Sequence, residues 1–181
     1  GILDDGQRFI KMFFMNGGHG ARPHEDGPAC LSFPSNIATV PLEQFENSVP
    51  ILIMEKNLIA DSGGAGEFRG GQAQRLSFKI ISKHPVTMTI RHERVKHPPR
   101  GLLGGKDGSA GCDYLNGKII PAKSRIELKN NDVVTFDTAG GGGIGSPENR
   151  SEKKIIQDLK SGAVTKEAVK RDYAFIEKGV S

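Results

Sequence analysis

The 181-residue sequence carries 25 basic and 21 acidic residues, a formal charge of +4, and 36% hydrophobic residues with no Trp. No Lys/Arg cluster interleaves with aromatics as a nucleic-acid groove requires, and no apolar run approaches the roughly 20 residues of a membrane span, so neither partner is expected. The length supports one core of ordinary size, but the 24 glycines, nearly twice the average usage of about 7%, make loops the larger resource.

Residue 1 is Gly and the first Met is Met12, so the chain is expected to begin inside a longer or processed polypeptide. Phe9 to Met15, FIKMFFM, reads as a strand ended by Asn16, Gly17 and Gly18. The loop that follows, GGHGARPHEDGP, concentrates His19, Arg22, His24, Glu25 and Asp26 between glycines. An Arg fork holds a carboxylate or phosphate through two parallel hydrogen bonds, and an Asp among glycines accepts N–H groups of main chain or substrate. Arg22 and Asp26 are therefore the candidate catalytic pair, with a mutual salt bridge as the alternative reading. His19 and His24 are candidate substrate-binding or loop residues; with Asp26 they match no recognised metal-ligand spacing, so no metal site is predicted.

Residues 33–36 and 40–43 read as extended, proline-punctuated segments, and ILIM after Pro50 as a strand. A second glycine loop, DSGGAGEFRGG from Asp61, leads into an alternating strand over 75–81. Because no helix follows, a helix dipole is not available there for phosphate. Val86 to Ile90 is strand-like, and residues 97–105 form a rigid turn after Arg91, His92, Glu93 and Arg94. Asn116-Gly117 predicts a hairpin within 114–120, and residues 126–128 and 133–136 add strands. Cys30 and Cys112 form neither a disulfide framework nor a metal motif, a pattern that fits a reducing cytoplasm.

The last glycine run lies in VVTFDTAGGGGIGSP, residues 133–147. Gly140, Gly142 and Gly145 satisfy G-x-G-x-x-G, but Pro147 intervenes before the next helix, no acidic strand end follows, and no Gly-Lys-Ser/Thr makes a P-loop. Either a tight main-chain connection or an anion- or substrate-facing loop fits this run. Ser151 caps a helix from Glu152 with Ile155, Ile156 and Leu159 on one face; Gly162 ends it, and Thr165 opens a second over 166–172. The fold class expected is α+β, mainly β with glycine-rich loops and one or two C-terminal helices. A β-rich domain would span 1–150 and a helical segment 151–181.

In order, GGHGARPHEDG, PLEQFE, DSGGAGEFRGGQAQR, PPRGLLGGKDG, TAGGGGIGSP and GAVTKEAVKRDY resemble the C-terminal third of the hydantoinase B/oxoprolinase family. The resemblance implies part of an ATP-dependent enzyme that opens a cyclic amide such as a hydantoin or 5-oxoproline and is inactive as this chain alone. It implies ATP and Mg on a hydantoinase A-like partner subunit, metal ligands in the N-terminal remainder of the same subunit, and a cytoplasmic hetero-oligomer. Relatives that carboxylate acetone or acetophenone leave a carboxylase as an alternative, and a non-catalytic assembly module is another. His19 departs from the pattern, standing where an apolar or variable residue is expected.

Overall fold

The computed structural model describes residues 1–35, 37 and 40–174; Asn36 and residues 175–181, which fall in segments expected above to be extended and helical, lie outside the described residues. In chain order the named elements are α1 (Leu42–Glu46), β1 (Ile51–Leu58), β2 (Gln74–Ile80), β3 (Val86–Arg91), β4 (Cys112–Leu115), β5 (Lys118–Ile119), β6 (Lys123–Leu128), β7 (Val133–Asp137), α2 (Glu152–Ser161) and α3 (Lys166–Tyr173). This is the mainly β, α+β architecture expected. No helix among the described residues is long and apolar enough to cross a membrane.

One antiparallel sheet has the order β1-β2-β7-β4-β5, and β3 pairs separately with β6 from Val86↔Leu128 to Arg91↔Lys123. The alternation expected over 75–81 is only partly kept, because β2 lies between β1 and β7 and buries Leu76, Ser77 and Phe78 in succession. Ser77 meets this burial by bonding Thr135 at 2.9 Å. The main apolar core joins Phe45, Val49, Ile51, Leu76, Phe78, Ile80, Leu128 and Val134. Asn116 and Gly117 have φ values of 50° and 77°, the left-handed pair that a tight primed hairpin turn requires.

The glycine segments form a second structural unit, a bundle of extended main chain. Gly18 donates to Ala139, Gly140 to Ser109, Gly141 to Gly71, Gly64 to Gly141, Ala21 to Gly142, Gly143 to Lys106 and Leu102 to Gly143, at 2.8–3.1 Å. Successive residues of 139–143 thus bond to different neighbours, so this run is surrounded by chain instead of being flanked on two edges as a strand is. Surrounding it so closely leaves no room for side chains. A Cβ at Gly141 would fall on the His19 carbonyl, the constraint that demands glycine at the crowded axis of collagen.

Two local expectations differ from the structure. Residues 9–15 join none of the named strands; Phe9, Phe13 and Met15 pack on the core while Ile10, Met12 and Phe14 point outward. Leu42 and Glu43, the end of the segment expected to be extended over 40–43, instead open α1, because Phe45 gains a buried position against Phe13 at a ring separation of 4.8 Å. The C-terminal helices begin and end close to expectation: Gly162 ends α2 at φ 71°, and the Thr165 hydroxyl accepts from Ala168 N–H, whereas Ser151 stands at the start of α2 without a side-chain capping bond. Ile155 is buried and Leu159 half-buried in a smaller core with Ala65, Val164, Val169 and Tyr173, whereas Ile156 stays exposed.

Candidate functional site

The loop 17–28 is held by main chain at both ends, since His19 N–H donates to Pro28 and Gly27 N–H to Arg69. Its tip presents Arg22 and Glu25 as an exposed ion pair, with side chains 59% and 63% accessible. Arg22 and Asp26 do not pair with each other. His24 is exposed, and the His19 ring stands edge-on to Phe33 at 6.1 Å.

Asp26 instead faces inward, to a cation that the sequence analysis did not single out. Arg150, with its side chain 1% accessible, donates to Asp26 Oδ1 and Oδ2 at 2.7 and 2.9 Å and to Asp158 Oδ2 at 2.6 Å. Arg69 meets the other Asp158 oxygen at 3.3 Å, and its N–H donates to Asp26 at 2.7 Å. The cluster joins the loop 17–28, the second glycine segment and α2. Nothing in residue spacing could have found it, because the partners lie 43 to 124 positions apart except for Arg150 and Asp158. Burial raises Tyr173, whose ring lies 6.0 Å from the Arg150 guanidinium, to a pKa of about 12.

Burial works against the Asp26 charge, but the Arg150 hydrogen bonds and charge and the Arg69 amide outweigh it, so its pKa lies below the ordinary aspartate range of about 3.9. A depressed folded-state pKa contributes stability that is complete above the unfolded value and lost as pH falls through the folded one. Urea midpoints measured from pH 7 to pH 2.5 should therefore fall below about pH 4. The parent should lose more than Asp26→Asn over that interval; parallel pH profiles would show that the pair contributes no such stability.

Of the three glycines named in the fingerprint, Gly140 and Gly142 have their surroundings filled by main chain. Gly140 abuts the Ser62 carbonyl and Gly142 the Arg100 carbonyl, while Gly145, at φ 75°, turns the chain beside Glu67. Since the amides of Gly140, Gly141 and Gly143 are donors inside the bundle, this run does not fit a phosphate cradle for ATP. A further pair missed from sequence is His92 and Asp113, joined Nδ1 to Oδ1 at 2.6 Å with the Asp113 side chain fully buried. His92 Nε2 packs against Gly111, so the pair pins the connection between β3 and β4. Among the described residues, no three His, Cys, Asp or Glu side chains group to hold a metal.

The sequence profile of the family described as Hydantoinase B/oxoprolinase matches residues 1–147. An uncharacterized protein of Methanocaldococcus jannaschii is 39% identical over 74% of the chain and 24% of its own length. Caprolactamase subunit beta of Pseudomonas jessenii is 30% identical over 90% of the chain and 30% of its own length. Nucleotide-free acetone carboxylase, a solved structure titled for ATP-dependent acetone carboxylation, superposes with a TM-score of 0.76 at 19% identity, over 91% of this chain and 27% of that one. The chain thus spans less than a third of each of these relatives.

Proposed function

Because the chain belongs to the hydantoinase B/oxoprolinase family, we propose that it is the C-terminal part of a subunit of an ATP-dependent cyclic-amide hydrolase that opens a hydantoin, 5-oxoproline or related lactam ring. The observation that carries this reading is the family match over residues 1–147, which takes in the glycine segments around the loop 17–28. Outward-facing Ile10, 99% accessible, together with Met12, Phe33 and Met54, supports a chain that works packed against more protein, as an N-terminal remainder and a hydantoinase A-like subunit would supply.

ATP and Mg2+ belong on that partner subunit in this reading, where phosphorylation turns an unreactive amide oxygen into a leaving group. This chain's share is to present the substrate loop. Arg22 offers its fork at the tip, where exchanging the solvated Glu25 carboxylate for a ring carbonyl or carboxylate costs little. Asp26 is a positioning residue, holding the loop base through Arg150. His19 and His24 flank the tip, Gly142 supports it by accepting the Ala21 amide, and Gly140 and Gly145 shape the run behind. Residues 1–150 serve as the β-rich unit, and α2 and α3 as the helical segment that follows it; the free thiols of Cys30 and Cys112 support a cytoplasmic setting.

The test is turnover of hydantoin and 5-oxoproline by the complete assembly with ATP. Arg22→Lys, which keeps charge and loses the fork, should lower kcat/KM about tenfold or more with assembly unchanged. Unchanged turnover would make the loop structural. Bicarbonate-dependent ATP use with acetone or acetophenone, and no ring opening, would replace the hydrolase by the carboxylase reading.

A further inference from the structure

The ten arginines divide sharply by environment. Arg22, Arg69, Arg75, Arg150 and Arg171 each pair with a carboxylate of this chain. Of the other five, Arg94 and Arg100 line one cleft, Arg91 and Arg125 line a second, and only Arg8 lies outside both. None of these four cleft arginines has a side-chain hydrogen bond or ion pair among the described residues.

The first cleft, of about 600 Å3, is lined by Arg94, His97, Pro98, Pro99, Arg100 and Asp107. Its walls are fixed independently of any ligand. Arg94 sits at φ 60° with its carbonyl held by Gly111 N–H, and the Pro99 carbonyl accepts from Gly108. Arg100 leads directly into Gly101, whose amide donates to Asp107 Oδ1 at 2.8 Å, leaving Oδ2 open as an acceptor. Rigid main chain thus presents two uncommitted guanidinium groups and an imidazole on one concave surface, with an acceptor beside them. Pre-set forks of this kind match the geometry of carboxylate and phosphate oxygens.

We propose that this cleft is a binding site for a small oxyanion, a carboxylate or phosphate group held by Arg94 and Arg100, with Asp107 receiving a hydrogen-bond donor on the same ligand. The site is separate from the loop 17–28 and does not depend on the lactam reading. It also differs from a diffuse basic surface, because the second cleft carries the same two-arginine charge but includes Lys123 and Glu93, which pair with each other at 2.8 Å.

The experiment is a titration of the full chain, followed by backbone amide NMR, with orthophosphate, malonate and the neutral isostere malonamide. Saturable shifts at Gly101, Gly108 and Gly111 are expected with one or both anions and not with malonamide; the stronger anion assigns the ligand group. Arg94→Asn with Arg100→Gln should weaken that binding about tenfold or more, the loss of two charge-assisted contacts. Asn is chosen because it tolerates the left-handed backbone at Arg94. Arg91→Gln with Arg125→Gln removes equal charge from the neighbouring cleft and should change affinity less than twofold. Equal weakening by both double variants, equal shifts with malonamide, or no saturation with either anion would overturn the proposal. Normal anion binding in a complete assembly that opens no lactam would refute only the proposed hydrolase function.

Discussion

Replacing Gly141 with Ala is expected to destabilise the chain by roughly 4 kcal/mol or more, enough to prevent folding, while the same change at Gly20 shifts stability by less than about 1 kcal/mol. At Gly141 the added methyl would meet the carbonyl of His19 and the amide of Gly20. These are main-chain atoms of a segment that is itself bonded to Gly71 and Pro28, so no flexible side chain can yield. At Gly20 the nearest atom to a new Cβ, the Gly142 carbonyl oxygen, lies 3.9 Å away, and φ is outside the left-handed region. Reduced freedom of the unfolded chain then favours Ala slightly. Soluble yield and urea midpoints of the two variants check this; a Gly141→Ala protein with the parent midpoint would show that the bundle relaxes without cost.

Arg150→Met is expected to cost about 3 kcal/mol, the second largest effect, and to loosen α2 and α3 before the sheet. Removing the guanidinium leaves Asp158, with its side chain 9% accessible, to Arg69 alone at 3.3 Å and deprives Asp26 of both fork bonds. The value stays at the low end for a broken buried pair because Asp26 keeps 27% of its side-chain surface in water and the Arg69 amide as a donor. Arg150→Lys should recover part of the loss by restoring charge without the planar fork. In a double-mutant cycle, Asp26→Asn should cost less in the Arg150→Met background than in the parent. Additive losses in urea midpoints, or protection of α2 amides from hydrogen exchange equal to the parent's, would place the stability of this region elsewhere.

Local signals in the chain sufficed for the elements whose physics is local. Asn116-Gly117 demanded a hairpin because few other pairs adopt two positive φ values in succession, and Gly162 and Thr165 marked helix ends because each acts on amides or carbonyls within one turn. The strands β2, β3 and β7 were legible as apolar or alternating runs. The sequence also showed that Gly140 to Gly143 would need something to hold them, and that no P-loop follows. What held them was decided only in three dimensions. Hydrogen bonds from segments near residues 18, 64, 71, 102, 106 and 109 converge on one run, and a fingerprint read along the chain cannot distinguish glycines that approach a phosphate from glycines that approach other main chain. The same limit separated Asp26 from Arg22: members of one short loop and alike as candidates, they diverge because folding brings Arg150 from 124 positions away to one and leaves the other in solvent. Periodicity and capping report interactions within a few residues, whereas charge pairing and close backbone approach depend on which distant segments meet.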